Sequence, residues 1–290
     1  MSKPTVALLG LGLMGRPMAL NVAKAGFPLA VWNRTRARAD ELAGAAGAGV
    51  RVAATAAEAA QADVVLTIVS DPPALEEVMF GPSGVLSGLR RGALLIDSST
   101  VSPALARKVA AACAEKGAQF LDAPVTGGTW GAEKGELVFM IGGEAAAYER
   151  ALPVLSAMGK RFFHLGPHGA GQTIKLAMNA ILALQVQAFA EAAALVQSAG
   201  LDGAKLFEVL QSSMARNPVL DVKGPLILKG EFAPSFPLRL MNKDLGLALE
   251  LARETGVNLP ATTAARQTYD AVKRAATDDA DYAAVARFWK

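Results

Sequence analysis

The stretch that decides the fold is residues 5–18, which read TVALLGLGLMGRPM. A short apolar run, Val6 to Leu9, precedes three glycines in the order G-x-G-x-x-G, and residues that suit a helix follow. In a dinucleotide-binding unit, Gly10 allows the turn, Gly12 lets the backbone approach a pyrophosphate, and Gly15 lets the helix pack against the strand. Glycines also end strands and pack against helices for structural reasons, so this motif alone leaves both interpretations open.

The next apolar run, Leu29 to Trp32, predicts the second strand of the unit and the place where the adenine ribose is recognised. Its end carries Asn33, Arg34 and Thr35, about 20 positions after the glycine turn. An acidic residue here favours NAD, because it hydrogen-bonds the ribose 2′-hydroxyl. A guanidinium suits the 2′-phosphate of NADP, which arginine can bind bidentately. We therefore predict NADPH as the preferred cofactor, with NAD possible.

Strand and helix patterns alternate as far as a strand at 161–165, which predicts an α/β fold with a doubly wound sheet. Val69 and Ser70 lie at the carboxyl end of a predicted strand, 64–69, where such sheets bind ligands, although a plain turn explains Ser70 equally well. Every later segment reads as helix, and after the long segment that ends near residue 199 the predicted helices are approximately 203–213, 218–229, 238–255, 260–275 and 281–288. We therefore predict a Rossmann-type domain at 1–165 and an all-α domain at 166–290.

Two polar stretches fall within the α/β half. Residues 97–103 read DSSTVSP, with more hydroxyl groups than one helix cap needs. Residues 120–128 read FLDAPVTGG, a predicted strand that turns through two glycines and leaves backbone N–H groups able to meet a carboxylate. A turn without a ligand explains the second stretch equally well.

The segment from Ile174 to Val196 is apolar enough to raise the question of a membrane span, but polar residues interrupt it and a buried central helix explains it better. Lys175 and Asn179 are four residues apart in this helix and share one face. Burial depresses the pKa of a lysine towards neutrality, as a general acid near pH 7 requires. The alternative is a lysine near the helix start that extends to water.

Composition excludes several other classes of protein. The chain has 290 residues, is 52% hydrophobic and 19% charged, and carries a net charge of +3 from dispersed lysines and arginines, which argues against nucleic acid as a partner. No cluster of His, Cys, Asp and Glu has the spacing of metal ligands, so we expect no metal. The single Cys113 cannot form an intramolecular disulfide, which predicts a reducing, cytoplasmic location.

Four motifs together resemble the β-hydroxyacid dehydrogenases, which include 3-hydroxyisobutyrate dehydrogenase and the tartronate, glyoxylate and succinic semialdehyde reductases. GLGLMG at 10–15 is similar to the cofactor motif of the family, and DSSTVSP with DAPVTGG to its substrate motif. GAGQTIKLAMN at 169–179 is similar to the catalytic motif, and NKDLGLAL at 242–249 to a C-terminal substrate-side motif. Thr126 stands where many members have serine, and the hydroxyl is kept.

The resemblance implies a nicotinamide-dependent enzyme that interconverts a small hydroxy acid and its semialdehyde, such as 3-hydroxyisobutyrate, 4-hydroxybutyrate or glycolate. It implies Lys175 as the general acid and base and Asn179 as the residue that orients the lysine or the carbonyl group. Substrate binding is implied for Ser99, Thr126, Gly127, Gly128, Lys243 and Asp244. Cofactor binding is implied for Gly10, Gly12, Leu13, Met14, Gly15, Asn33, Arg34, Thr35, Val69, Ser70, Thr100 and Lys243.

Within the family, the chain is most similar to the glyoxylate and succinic semialdehyde reductases. Two other functions stay open: imine reduction on the same scaffold, and a non-catalytic nucleotide-binding module. Retention of Lys175 argues against both, because imine reductases typically lack this lysine and a pure binder has no use for it. The small, apolar helical domain also predicts a homodimer or homotetramer.

Overall fold

The computed structural model of the chain describes residues 3–47, 49–275 and 279–289. The chain divides into two compact units, Met1–Lys175 and Leu176–Lys290. This division falls inside a helix, Ala170–Ser198, and lies ten residues beyond the junction predicted after residue 165. The first turns of that helix belong to the first unit, where they hydrogen-bond to the sheet.

The first unit is built on a sheet that has helices on both faces. In the described residues its strands are β1 (Val6–Leu9), β2 (Leu29–Trp32), β3 (Val50–Val52), β4 (Val64–Thr67), β5 (Leu94–Asp97), β6 (Gln119–Asp122), β7 (Val125–Thr126), β8 (Leu137–Gly143) and β9 (Gly159–His164). The strand order is β3-β2-β1-β4-β5-β6-β8-β7, and β9 pairs with β8. The first six strands are parallel in the order of a dinucleotide-binding fold.

The helices of this unit cover both faces of the sheet. They are α1 (Gly15–Lys24), α2 (Arg36–Ala46), α3 (Ala56–Ala59), α4 (Pro72–Phe80), α5 (Val85–Gly88), α6 (Pro103–Glu115), α7 (Gly128–Lys134) and α8 (Ala145–Leu155). Val6 and Leu8 of β1 belong to one buried apolar cluster, and Ala7 and Leu9 belong to another. A strand buried on both faces reads as a continuous apolar run, as the residues from Val6 to Leu9 do.

The register of the central strands brings their carboxyl ends level. Leu9 of β1 pairs with Thr67 of β4, Thr67 pairs with Asp97 of β5, and Asp97 pairs with Asp122 of β6. The loops that follow these strands therefore leave the sheet at one edge, where open α/β sheets bind their ligands.

The part of the sheet that contains β6, β7 and β8 departs from the predicted pattern. The single strand predicted over residues 120–128 is instead β6, a break at Ala123 and Pro124, β7 and the start of α7. Proline has no N–H to donate to a neighbouring strand, which accounts for the break. Strand β8 then runs antiparallel to both β6 and β7, so the sheet is mixed rather than wholly parallel.

The second unit is helical. Its described elements are the rest of α9 (Ala170–Ser198), then α10 (Gly203–Gln211), α11 (Pro218–Lys229), α12 (Leu238–Thr255), α13 (Pro260–Ala275) and a 3₁₀ helix (Tyr282–Trp289). Val186 and Phe189 of α9 pack in one apolar core with Leu245, Tyr269 and Val285. The bounds predicted for α11, α12 and α13 are confirmed. The last segment was predicted as a helix at 281–288, and its turns are of the tighter 3₁₀ type.

Helix α9 is the one helix in the described ranges that is long and apolar enough to cross a membrane by length and composition. Of its most apolar 18-residue window, 44% is buried inside the protein. The buried side chains Ala183, Val186 and Phe189 agree with a central core helix, whereas Ile181 and Leu195 are exposed. Core helices of globular proteins meet the same criterion, so length and apolarity here are weak evidence for a membrane span.

A buried ion pair ties the end of the chain to α11. The ammonium nitrogen of Lys223 lies 2.9 and 2.8 Å from the two carboxylate oxygens of Asp281, and both side chains are buried. The Asp281 carboxylate also accepts hydrogen bonds from the Ser235 hydroxyl at 2.9 Å and from the backbone N–H groups of Phe236 and Ala283, both at 3.0 Å. Each buried charge is thus both paired and hydrogen-bonded.

Candidate functional site

Two of the three glycines after β1 are required by the fold itself. Gly10 has φ +99°, and a Cβ atom on it would lie 2.1 Å from the carbonyl oxygen of Ile68. A Cβ atom on Gly15 would lie 1.8 Å from the carbonyl oxygen of Gly10. A Cβ atom on Gly12 would meet nothing within 4 Å, so packing within the chain does not explain this glycine.

The helix that follows these glycines is suited to an anion. The amino end of α1 has no capping side chain and no acidic residue in its first turn. Gly12 is exposed and Leu13 is 53% exposed, so the loop is open to a ligand. Backbone N–H groups at a helix amino end together with the helix dipole favour a phosphate. The open position at Gly12 and the uncapped helix therefore fit the pyrophosphate of a dinucleotide.

The predicted ribose-binding residues lie directly beside this loop. The Asn33 side chain accepts a hydrogen bond from the backbone N–H of Leu11 at 2.9 Å and donates one to the carbonyl oxygen of Thr35 at 2.9 Å. Asn33 thus joins the glycine loop to the end of β2. The guanidinium of Arg34 is exposed and lies 3.6 Å from the Glu77 carboxylate. Such an exposed ion pair contributes little to the stability of the fold.

The loops after β4 and β5 are connected by the Ser99 hydroxyl. It accepts a hydrogen bond from the backbone N–H of Val69 at 2.9 Å and donates one to the Asp97 carboxylate at 2.7 Å. The serine is only 1% exposed. A hydroxyl has one hydrogen to donate, and that hydrogen is used on Asp97. The neighbouring Thr100 is partly exposed, so this loop reaches the surface at Thr100 and not at Ser99.

Ser70 and Asp71 form the start of α4. The Asp71 carboxylate accepts a hydrogen bond from the backbone N–H of Ala74 at 2.9 Å, with Pro72 in the first turn, so this segment is a capped helix start. The Ser70 hydroxyl is exposed and donates to Asp71 at 2.7 Å. The capping contacts explain Asp71 fully, whereas Ser70 stays accessible at the carboxyl edge of the sheet.

The glycine pair after β7 presents its backbone at the surface. Gly127 has φ +126° and Gly128 has φ +61°, both in the range that favours glycine. Both residues are exposed, and they begin α7 without a capping side chain. Thr126 precedes them, partly exposed, at the end of β7. The backbone of this turn is therefore exposed to solvent at the start of α7.

A carboxylate that sequence reasoning did not assign fixes the start of α9. Asp122, fully buried at the end of β6, accepts hydrogen bonds from the backbone N–H of Gly169 at 2.7 Å and of Gln172 at 3.0 Å. Burial, together with the nearby Asp97 carboxylate, raises the pKa of Asp122 to about 6, although the two N–H donors act to lower it. Its only sequence signal is an acid that ends an apolar strand.

Lys175 lies three residues beyond Gln172 in the same helix and is the last residue of the first unit. It is only 7% exposed, so the alternative of a lysine extended into water is wrong. The side chain is therefore largely withdrawn from bulk water, although it lies near the start of the helix.

The remaining predicted residues lie in the second unit and contact one another. The Asn179 amide donates a hydrogen bond to the Asp244 carboxylate at 2.6 Å, and the ammonium of Lys243 lies 3.0 Å from the other oxygen of that carboxylate. Asp244 is buried. A carboxylate repels the carboxylate of a substrate. These contacts therefore favour Asp244 as the group that holds Asn179 and Lys243, and not as a direct ligand of a substrate acid.

Two histidines of the first unit have packing contacts. The His164 ring stacks on Tyr148 at 5.1 Å, and its Nε2 atom lies 2.7 Å from the carbonyl oxygen of Gly143. The His168 ring packs beside Phe120, and burial lowers its pKa. In the described parts of the chain, no group of three or more His, Cys, Asp or Glu side chains could hold a metal ion.

Comparison with known proteins yields matches over nearly the whole chain. Residues 5–166 match the family model described as the NAD binding domain of 6-phosphogluconate dehydrogenase, and residues 169–289 match that of the NAD-binding domain of NADP-dependent 3-hydroxyisobutyrate dehydrogenase. The 3-hydroxyisobutyrate dehydrogenase of Pseudomonas aeruginosa is 40% identical, over 91% of this chain and 90% of the relative. Glyoxylate/succinic semialdehyde reductase 1 of Arabidopsis thaliana is 36% identical, over 97% and 96%.

A solved structure extends the likeness to three dimensions. The 3-hydroxyisobutyrate dehydrogenase of Mycobacterium tuberculosis, determined with L-serine, matches with a TM-score of 0.88 and 36% identity, over 98% of both chains. The solved structure therefore shares the fold of this chain, a sheet unit followed by a helical unit.

Proposed function

This chain belongs to the β-hydroxyacid dehydrogenase family, and from that premise we propose that it is an NADPH-preferring reductase of small aldehydes that carry a carboxylate. The family is one of NAD(P)-dependent oxidoreductases that interconvert a hydroxy acid and its semialdehyde. The observation that supports the proposal best is the buried Lys175 on a helix start that Asp122 anchors to the sheet. The open glycine loop supplies the place for the dinucleotide phosphates.

Each residue has a definite task in this proposal. Gly12, Leu13 and Met14 hold the pyrophosphate through their backbone. A bound nicotinamide supplies a hydride to the aldehyde carbon in reduction and accepts one in oxidation. Lys175 donates a proton to the oxygen of that carbonyl group as it becomes a hydroxyl, and removes the hydroxyl proton in the reverse direction. Asn179, one turn further along α9, orients the lysine or the carbonyl group.

The carboxylate of the substrate is assigned to the surface backbone of Thr126 to Gly128. The exposed glycine pair and the uncapped start of α7 support this assignment. Thr100 is partly exposed and Ser99 is buried, so of the two hydroxyl groups after β5 we assign ligand contact to Thr100. The resemblance to the family also assigns substrate binding to Lys243, whose ammonium nitrogen lies 3.0 Å from the Asp244 carboxylate.

The experiment that tests this function is a comparison of kcat/KM for glyoxylate, succinic semialdehyde, methylmalonate semialdehyde and tartronate semialdehyde, each with NADPH and with NADH. We expect turnover of at least one semialdehyde, with NADPH favoured. Addition of a panel of cyclic imines identifies the alternative chemistry on the same scaffold. Turnover of imines alone, or of no compound, would contradict the proposal.

The cofactor preference is assigned to Arg34, because its exposed guanidinium follows the strand end beside the glycine loop. Replacement of Arg34 by aspartate is expected to lower the ratio of kcat/KM for NADPH to that for NADH by about 10- to 100-fold, the worth of one or two hydrogen bonds to a charged phosphate. Arg91→Asp is the matched control, since Arg91 is exposed before β5 at the opposite edge of the sheet. An equal ratio in the Arg34 variant and the wild type would show that the ribose is read elsewhere.

We also propose a homodimer or homotetramer in the cytoplasm. Exposed apolar side chains on the helical unit, among them Ile181, Leu195 and Val209, support an interface with another copy. The buried Cys113, whose pKa burial raises to about 12, is an inert thiol that suits a reducing compartment. A single-chain mass by light scattering would contradict the oligomer.

A further inference from the structure

One buried amide side chain of α9 forms hydrogen bonds with the backbone of the loop after β5. The Nε2 atom of Gln172 donates to the carbonyl oxygen of Ser99 at 2.8 Å, and its Oε1 atom accepts from the backbone N–H of Val101 at 3.1 Å. The amide therefore pairs with the backbone on both sides of Thr100, in the way that a neighbouring strand would. A donor facing a carbonyl and an acceptor facing an N–H also fix the orientation of the amide.

The same residue is held to the sheet through its backbone. The N–H of Gln172 donates to the Asp122 carboxylate at 3.0 Å. The preceding Gly171 packs so closely on the sheet that a Cβ atom on it would lie 2.3 Å from the carbonyl oxygen of Met140. The first turns of α9 are therefore fixed from β6, from β8 and, through the Gln172 side chain, from the loop after β5.

This arrangement determines where Lys175 is presented. Residues three apart on a helix are neighbours on its surface, so Gln172 lies on the side of α9 adjacent to Lys175. Rotation or translation of this turn moves both residues together. The Gln172 amide couples the position of the Ser99–Val101 backbone to that of the helix turn. A shift of either segment therefore displaces the other.

We propose that Gln172 is a positioning residue: its side chain keeps the loop that carries Thr100 in register with the helix turn that carries Lys175. The inference rests on the proposed function, in which Thr100 contacts ligand and Lys175 transfers the proton. A helix cap alone needs only the Asp122 carboxylate. The additional amide pairing ties together two segments that both bear assigned site residues, and a displacement of about 1 Å at such a site lowers the rate by about 10²-fold.

The first test replaces Gln172 by methionine, which keeps the side-chain length and removes both hydrogen bonds. We expect kcat for the preferred semialdehyde to fall by about 10- to 100-fold, while the dissociation constant of NADPH stays near that of the wild type. Gln187→Met is the matched control, because Gln187 is also a buried amide on α9 but lies in the second unit. We expect kcat of that control to stay near the wild-type value.

A second variant, Gln172→Glu, gives a readout that a merely structural role would not move. A protonated carboxyl group has the donor and the acceptor of the amide it replaces, whereas the ionised group has no donor for the Ser99 carbonyl. The kcat of this variant relative to wild type should therefore rise as the pH is lowered. Charged groups near the Gln172 amide include Asp122 on β6, Asp97 on β5, Arg107 on α6 and Lys175 on α9. They are present in both proteins, so the ratio of the two kcat values reports mainly the ionisation of the new carboxyl group.

The outcomes separate the two proposals. A wild type that reduces none of the semialdehydes disproves the proposed function. An active wild type together with a Gln172→Met variant of equal kcat disproves the positioning role, as does an equal loss of kcat in Gln187→Met. If Gln172→Met does not fold, Gln172→Glu decides alone, and a ratio that does not change with pH overturns the inference.

Discussion

Replacement of Lys175 by alanine is expected to lower kcat by about 10²- to 10⁴-fold, the usual contribution of a positioned general acid. The lysine is 7% exposed, so bulk water is poorly placed to supply the proton in its absence. Binding of NADPH should persist, because the glycine loop that we propose as the phosphate-binding site lies after β1 and does not include this side chain. Single-turnover oxidation of NADPH with the preferred semialdehyde, together with a fluorescence titration of NADPH, measures both quantities.

Lys175→Arg separates proton transfer from positive charge. The guanidinium keeps the charge, but its very high pKa leaves it unable to give up a proton near neutral pH. We expect this variant to be nearly as slow as the alanine variant. An arginine variant that retains most of the activity would show that charge alone stabilises the developing alkoxide. Near-normal turnover of Lys175→Ala would disprove the assignment of Lys175 as the acid.

The parts of the structure that were predicted correctly from sequence are those whose causes are local. A four-residue apolar strand, three glycines at fixed offsets and a helix-forming run follow one another within residues 5–18. Their geometry is set by neighbours in the chain, and the close contact of Gly15 with Gly10 is the clearest instance. The helix bounds at 218–229, 238–255 and 260–275 follow from local caps and prolines in the same way.

The parts that were missed depend on partners far apart in the chain. Asp122 and Gly169 are 47 residues apart, and Gln172 and Ser99 are 73 apart. The sequence around either residue of such a hydrogen-bonded pair does not indicate which distant residue is its partner. The Ser99 hydroxyl shows the same limit, because the backbone N–H of Val69 that donates to it lies 30 residues away in the chain.

Among the lysines that the structure describes, Lys175 and Lys223 are buried, and the sequence pattern singled out only Lys175. Lys175 interrupts the sequence of a long apolar helix. A charged residue in such a segment stands out, so its burial could be predicted from the sequence. Lys223 is 6% exposed, but it lies in a short helix with an acid two residues before it, and its true partner, Asp281, follows 58 residues later. A saturated ion pair gives Lys223 a structural role, so burial alone does not identify a catalytic lysine.

Lys223→Met is therefore expected to lower the free energy of unfolding by about 3–5 kcal/mol, because it leaves the Asp281 carboxylate buried without a cation. Urea unfolding measures the loss, and kcat of the folded enzyme should stay near that of the wild type, in contrast to Lys175→Ala. In the double variant Lys223→Met/Asp281→Asn no charge remains, and the amide oxygen can still accept from Phe236 or Ala283. That variant should be more stable than Lys223→Met alone. A single variant as stable as the wild type, or a double variant less stable than the single one, would show that the pair contributes little to the fold.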